Sequence, residues 1–419
     1  MKREAEQQTA IPLTDQQQRI VGHNQGAALV YAVAGSGKTT AMLHRVERLV
    51  REQIFPAQRI LLSSFNKAAV EQLGERMAAW PHCRPVVRQT LHALGYRIIR
   101  DAVEQRLIPP FGDESVRDIA GVGRRLLWQA RDAARRENRI DSSELESLDE
   151  DDFLTYIGAM KGNLRYADLA QTTLPAAARR SARQADPPHG LPWYLELYRI
   201  YEQVRAAQQL ITFDDMLSLS WELLMRHDGL LRRWQQKFDA VIVDEFQDVN
   251  LAQAELLDLL VKPHGNLMAI GDDDQTIYTF RGADPAIFHG FQRRYNAAVY
   301  EMTDNFRCYA GPVVLAGRVV GQNRQRRAKQ PIAARGFGGQ SELHVAPDEA
   351  AMVKRAVQDI QRAQADGFQP DQIVVLVRLT AQTAVFEQAF SAARIPYQVF
   401  DAQPFYQRRE VADLLRYCE

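Results

Sequence analysis

The sequence predicts an α/β protein: a parallel sheet covered by helices, with a helical domain inserted into it and more α/β structure behind. Three observations predict this. Short apolar runs of strand length alternate with stretches of helical spacing. One of those runs passes through a glycine-containing loop straight into a helix. The long middle stretch from Thr90 to Ala206 is mostly helical in pattern, with charged faces and few strand signals.

The elements follow in order. Ala27 to Ala32 (AALVYA) reads as a buried strand, and Thr39 to Arg51 as the helix after the glycine loop. Arg59 to Ser63 is a second strand and Lys67 to Ala79 a helix. A proline-rich break from Ala185 to Pro192 interrupts the helical middle. Phe238 to Val243 and Leu267 to Ile270 are further buried strands, with a helix near Ala252 to Val261 between them. Beyond Gly290 the alternation resumes. Ala298 to Met302, Glu342 to Ala346 and Gln372 to Arg378 read as strands. Pro312 to Gly321, Glu349 to Ala365 and Thr380 to Ala393 read as helices.

A length of 419 residues exceeds one ordinary domain; about one domain per 150 residues gives two or three. The apolar share of 46% and charged share of 25% belong to a globular chain, not to a fibre or a disordered segment. With 52 basic and 52 acidic residues the net charge is zero. A polyanionic partner therefore gains nothing from global charge and needs basic residues gathered on one face. Arg124, Arg125, Arg131, Arg135, Arg136 and Arg139 precede an acidic run, Glu144 to Asp152. Arg324, Arg326, Arg327 and Lys329 form another basic cluster. Each cluster alone reads as a solvated face. Cys83, Cys308 and Cys418 are too far apart for a metal motif or a disulfide framework. The polar N-terminus and the lack of a long apolar run make a cytoplasmic protein without a membrane partner the expectation.

Ala32-Val33-Ala34-Gly35-Ser36-Gly37-Lys38-Thr39 has the strand–loop–helix setting of a phosphate-binding loop, with Ala32 where the common pattern begins with glycine. Such glycines let backbone N–H groups converge on phosphate oxygens, and the helix N-terminus adds positive charge. Ala34, Gly35, Ser36, Gly37 and Thr40 are the expected cradle. Lys38 is expected on the β- and γ-phosphates and the Thr39 hydroxyl on Mg²⁺. The reading requires a strand-end acid, and Asp244-Glu245 supplies it: Asp244 for the metal, Glu245 for the attacking water. Gly271-Asp272-Asp273-Asp274-Gln275 follows the next strand, at the sheet edge where ligands bind in open α/β folds. Gln275 is placed there for the γ-phosphate or the water. Alone, this segment would be read as an acidic turn.

Asp244-Glu245-Phe246-Gln247-Asp248 and Gly271 to Tyr278 closely resemble motifs II and III of UvrD/Rep superfamily 1 helicases. Other segments are similar to family motifs in the same order. Leu13 to Gln17 resembles the segment whose glutamine reads adenine, here Gln17. Ser64 to Ala69 resembles motif Ia, one residue short, with Phe65 and Asn66 toward single-stranded DNA. Thr90-Leu91-His92 resembles motif Ib, with Thr90 and His92 toward DNA. Thr212 to Asp215 resembles the re-entry into the first motor domain. In motif III, Tyr278, Phe280 and Arg281 face DNA, and Phe280 stands where the family carries a stacking tryptophan; any base offers a face to it. Asp304-Asn305-Phe306-Arg307 resembles motif IV, with Arg307 toward the γ-phosphate and Phe306 in place of an adenine-stacking tyrosine.

The resemblance implies two RecA-like domains of the P-loop NTPase fold with ATP and Mg²⁺ between them, and single-stranded DNA across their tops. The expected division is 1–89 and 206–290 for the first motor domain, 90–205 for the helical insertion and 291–419 for an incomplete second motor domain. The activity implied is ATP-dependent 3′–5′ translocation or unwinding, with repair the commonest setting. DNA rather than RNA rests on the resemblance alone. The last matching segment is Phe405 to Val411, and motifs V and VI have no counterpart up to Glu419. From that follow two expectations for the polypeptide by itself: nucleotide binding with slow hydrolysis, and no unwinding. The alternative reading is an ATP- and DNA-binding module that depends on a protein partner to complete the second motor domain. A small-molecule P-loop kinase leaves the large helical insertion and the aromatic motif III without a purpose.

Overall fold

The computed structural model describes residues 12–112, 119–324, 326–400 and 411. Most of the last matching segment, Phe405 to Glu410, lies outside the described residues, as does Cys418. Two compact units divide at Gly339/Gln340.

The first unit opens with helix α1 (Asp15–Val21), strand β1 (Ala28–Ala32), helix α2 (Lys38–Arg51), strand β2 (Ile60–Ser63), helix α3 (Lys67–Met77), the short strand β3 (Val87–Arg88) and helix α4 (Leu91–Glu104). The helical insertion contributes α5 (Ile119–Arg136), α6 (Ser142–Glu146), α7 (Glu150–Gly162), the two-residue strands β4 (Arg165–Tyr166) and β5 (Arg183–Gln184), and α8 (Trp193–Ala207). The chain returns through α9 (Asp215–Arg226), α10 (Asp228–Gln235), β6 (Ala240–Val243), α11 (Leu251–Val261), β7 (Leu267–Gly271), α12 (Pro285–Tyr295) and β8 (Ala298–Met302). Next come β9 (Asp304–Asn305), α13 (Ala310–Val320) and β10 (Ile332–Ala333).

The central sheet has six parallel strands in the order β3-β2-β6-β7-β1-β8. Its inner strands are apolar throughout because both faces are covered. Along β1, Leu29 and Tyr31 enter one core, while Ala28, Val30 and Ala32 enter the other. Val241 and Val243 of β6 divide in the same way from Ala240 and Ile242. Helices α4, α9, α10, α11 and α12 supply the first core, and α2 and α3 the second. This parallel α/β architecture is the expected fold class, and the strands at β1, β2, β6 and β7 stand where the apolar runs lie.

Three details differ from the sequence reading. Helix α4 packs Leu94, Ile98 and Ile99 into the sheet's core with Trp221 of α9. The insertion's own core therefore draws on α5 to α8, not on residues from 90 onward. Strand β8 pairs with β1 from Ala28↔Ala298 to Ala32↔Met302, so the first sheet continues past 291, the expected start of the second motor domain. Glu342 to Ala346 and Gln372 to Arg378 form no ladder among the described residues. Their alternation fits a strand locally, but a strand exists only where a neighbour takes its N–H and C=O groups.

The second unit contains α14 (Glu349–Ala365) and α15 (Thr383–Ala392), joined through Val353, Ile360, Phe386, Phe390 and Ile395. Among the described residues no helix is long and apolar enough to cross a membrane.

Candidate active site and nucleic-acid interface

The carboxyl ends of β1, β6 and β7 carry the phosphate loop, Asp244 and Asp272 side by side, because the parallel ladder brings those ends to one edge. Gly35 and Gly37 turn the loop with φ of +70° and +79°. Gly37 is the N-cap of α2 and no side chain caps that helix. The first-turn N–H groups thus meet an anion-binding requirement together with the helix dipole. The Ser36 hydroxyl is buried without a protein partner among the described residues. This cradle fits a phosphate chain.

Motif IV holds the loop from outside. Asn305 Nδ2 donates to Ala34 O at 2.8 Å, and Phe306 N donates to Gly35 O at 2.9 Å. Asn305 Oδ1 accepts from Arg307 N at 2.9 Å. A Cβ on Gly35 would lie 2.6 Å from Arg307 Cβ, so only glycine permits this approach. Phe306 and Arg307 are both exposed beside the loop. Gln17 is buried: its oxygen accepts from Thr14 N at 3.1 Å and its amide donates to Ser36 O at 3.1 Å.

Lys38 Nζ lies 2.8 Å from Glu245 Oε2. Glu245 has φ +52°, a left-handed conformation that costs a non-glycine residue about 1 kcal/mol or more. Burial pushes the Glu245 carboxyl up, but Lys38 and the Gln247 amide outweigh it and hold it below the usual range. Asp244 moves the other way. Burial, then the charge of Glu245, raise it to about 6. A dication beside Asp244 would oppose both effects by favouring the charged carboxylate. Asp244, Glu245, Thr39 and Gln275 line one cavity of about 330 Å³, which fits a metal site next to the phosphate cradle. Gln275 reaches it while its amide donates to Asp272 Oδ2 at 2.7 Å.

Six residues not assigned roles from sequence join this site. Gln247 donates to Glu245 Oε2 at 2.9 Å and accepts from Asp272 N at 3.0 Å, tying motif II to motif III. A Cβ on Gly271 would meet Gln247 Oε1 at 2.4 Å, so a side chain there would push this amide out of place. Arg76 of α3 donates to Thr40 Oγ1 at 3.0 Å and shares the cavity with Asp244. Its signal is helical spacing: Ala69, Gln72, Leu73 and Arg76 line the cavity together. Asp248 is buried and raised to about 6 by its burial and by Glu245. Lys329 is buried among Asp272, Asp273 and Asp274. Arg326 adds a two-pronged contact to Asp274, both arms at 2.7 Å. The basic cluster at 324–329, expected as a solvated face, is thus in part a buried counter-charge for motif III.

A larger cleft of about 1090 Å³ runs between the sheet edge and α7 of the insertion. Phe65, Asn66, Thr90, His92, Tyr278 and Arg281 all line it. Phe65 stacks on Tyr278 with ring centroids 4.5 Å apart, and His92 on Phe213 at 4.2 Å. Burial lowers the His92 pKa to about 4, so the ring is neutral at physiological pH. Asn66 and Thr90 cap α3 and α4 through Ala69 N and Ala93 N. Phe280 is 53% exposed, 6.1 Å from Tyr278, with the Arg281 guanidinium 5.5 Å from its ring centroid. Six of the seven residues expected to face nucleic acid thus line this cleft, and Phe280 is not among its lining. Phe65, Asn66, Asp248 and Tyr278 line both cavities and form the wall between them.

Residues 13–296 match the family model described as UvrD/REP helicase N-terminal domain, and residues 300–419 the UvrD-like helicase C-terminal domain. The chain is 29% identical over 421 residues to the putative ATP-dependent DNA helicase YjcD of Bacillus subtilis, covering 97% of this chain and 51% of that protein. It is 28% identical over 415 residues to the ATP-dependent DNA helicase PcrA of Staphylococcus epidermidis, covering 97% and 53%. PcrA of Staphylococcus aureus gives the same figures. The chain spans about half the length of the curated relatives it matches. With the phosphate loop, the strand-end acids and the aromatic cleft in the family's order, and family models matched from residue 13 to residue 419, the chain belongs to the UvrD/Rep helicase family.

Proposed function

We propose that this chain carries the ATP-hydrolysing motor of a DNA helicase or translocase that moves 3′ to 5′ along a single strand, in repair or a related DNA transaction. The observation that carries the reading is the shared wall: one side faces the phosphate cradle and the acids, the other an aromatic cleft. Bound Mg²⁺–ATP supplies the electrophilic phosphorus and neutralises part of the phosphate charge. Lys38 and the α2 N-terminus hold the phosphates, and Thr39 and Asp244 hold the metal. Glu245 orients water and takes its proton. Arg307 and Gln275 stabilise charge at the γ-phosphate. Phe306 stacks on the base and Gln17 reads its edge. Gln247 links the position of Glu245 to the turn that ends in Tyr278, Phe280 and Arg281. Phe65, Tyr278 and Phe280 offer stacking faces, and Asn66, Thr90, His92 and Arg281 line the strand's path.

The test is steady-state ATP hydrolysis with and without single-stranded DNA, beside Lys38→Ala. DNA-stimulated turnover that the variant loses supports the motor. Nucleotide binding with no stimulation by DNA overturns it in favour of a module that needs a protein partner to complete it.

A further inference from the structure

We infer that the solvent-facing stripe of α5 is a second platform for single-stranded nucleic acid, receiving the strand where it leaves the cleft, with Trp128 stacking on a base and arginines meeting phosphates. The inference rests on reading the 1090 Å³ cleft as the strand's path.

Helix α5 already has a complete inner face. Val122, Leu126, Leu127, Ala130 and Ala134 are buried in the insertion's core. Trp128 takes no part in it and is 66% exposed, whereas Trp80, Trp193, Trp221 and Trp234 are all buried. At about 100° per residue, Arg124, Arg125, Arg131 and Arg135 fall within about 60° of Trp128 around the helix axis. Asp132, the only acid in α5, lies about 40° from Trp128 and pairs with Arg136 at 3.0 Å. An exposed indole flanked by four arginines supplies both halves of single-strand recognition, a flat ring and cations, and the arginines outnumber the one acid of the stripe.

The stripe is continuous with the cleft. Arg124 pairs with Asp151 and lies 3.8 Å from Glu150 at the start of α7. Asp151 lines the cleft. Arg124 and Asp151 are both more than half exposed, 58% and 76%. An exposed pair of this kind is held weakly, so a phosphate can take the arginine from it at little cost. Trp128 lies one turn further along α5 from Arg124, on the same side.

Trp128 is its own reporter, since the other four tryptophans are buried. The experiment measures its emission and acrylamide quenching in the whole chain during titration with an oligothymidylate series of increasing length, with Trp128→Ala as the blank. Short oligomers that only fill the cleft are expected to leave Trp128 accessible; longer ones are expected to quench and shield it. Trp128→Ala is expected to weaken long oligomers roughly 5- to 100-fold, the range of one base stack, and short ones not at all. Arg124→Ala/Arg135→Ala is expected to reduce the slope of log affinity against log salt by about 0.7 for each phosphate no longer neutralised. Equal acrylamide access with and without long oligomers overturns the platform, as does unchanged long-oligomer affinity in both variants. Shielding by blunt duplex but not by single strand also overturns it. Tyr278→Ala, at the cleft wall, tests the cleft separately: if it leaves short-oligomer binding intact, the reading of the cleft fails, not the platform alone.

Discussion

At the scale of the residue, the most consequential side chain outside the expected set is Lys329. Burial opposes its charge, yet Asp272 and Asp273 more than compensate, and its pKa rises above the usual value. A lysine raised in the folded state contributes stability that is full below its unfolded pKa and lost only as pH climbs through the folded one. At neutral pH the contribution is therefore constant. Lys329→Met leaves three carboxylates together without that cation, and is expected to cost about 3–5 kcal/mol. Denaturant unfolding at pH 8 measures it; a loss below about 1 kcal/mol would mean that Arg326 suffices. Asp214, on the cleft wall, is raised to about 6, first by burial. A carboxyl raised in the folded state binds more protons there than in the unfolded chain, so its contribution falls as pH rises toward 6 and is flat above. Asp214→Asn is thus expected to melt higher than the parent at pH 8 and to match it near pH 4. A melting difference independent of pH would refute the burial cause.

At the scale of the element, motif IV meets the phosphate loop through backbone, and a small change there should be felt in catalysis. Gly35→Ala adds a Cβ 2.6 Å from Arg307 Cβ at φ +70°. The strained conformation alone costs about 1 kcal/mol. Arg307 has to move, so kcat is expected to fall at least about tenfold, the loss of little more than 1.4 kcal/mol of transition-state stabilisation. Binding of a non-hydrolysable nucleotide checks that the loop survives; a normal kcat would remove Arg307 from the chemistry. The strands and helices that build this edge were legible because each carries a local signal: an apolar run for β1, β6 and β7, helical spacing for α2 and α11. The segments at 342–346 and 372–378 carry the same signal without a ladder among the described residues, since pairing depends on a neighbour that local pattern does not name. For the same reason nothing local assigns β8 to the first sheet.

At the scale of the whole molecule, each unit has its own core, and the segment around their division exposes large apolar side chains. Phe337, Leu343 and Val345 are 98%, 91% and 90% exposed. Brief chymotrypsin treatment is expected to cut after Phe337 or Leu343 and leave the first unit folded, read by mass spectrometry and circular dichroism. Protection of both positions would show that the segment is covered in solution. The chemical parts and their order along the chain follow from sequence by itself: glycines where φ is positive, a lysine and threonine at a helix start, acids at strand ends, aromatics after β7. Only the tertiary structure decided which distant groups meet them. Gln247 spans to Asp272, Asn305 to Ala34 and Lys329 to the motif III aspartates. Such pairs leave no periodic trace, because a contact between residues far apart in sequence is set by how the sheet orders its strands, not by the residues beside either partner.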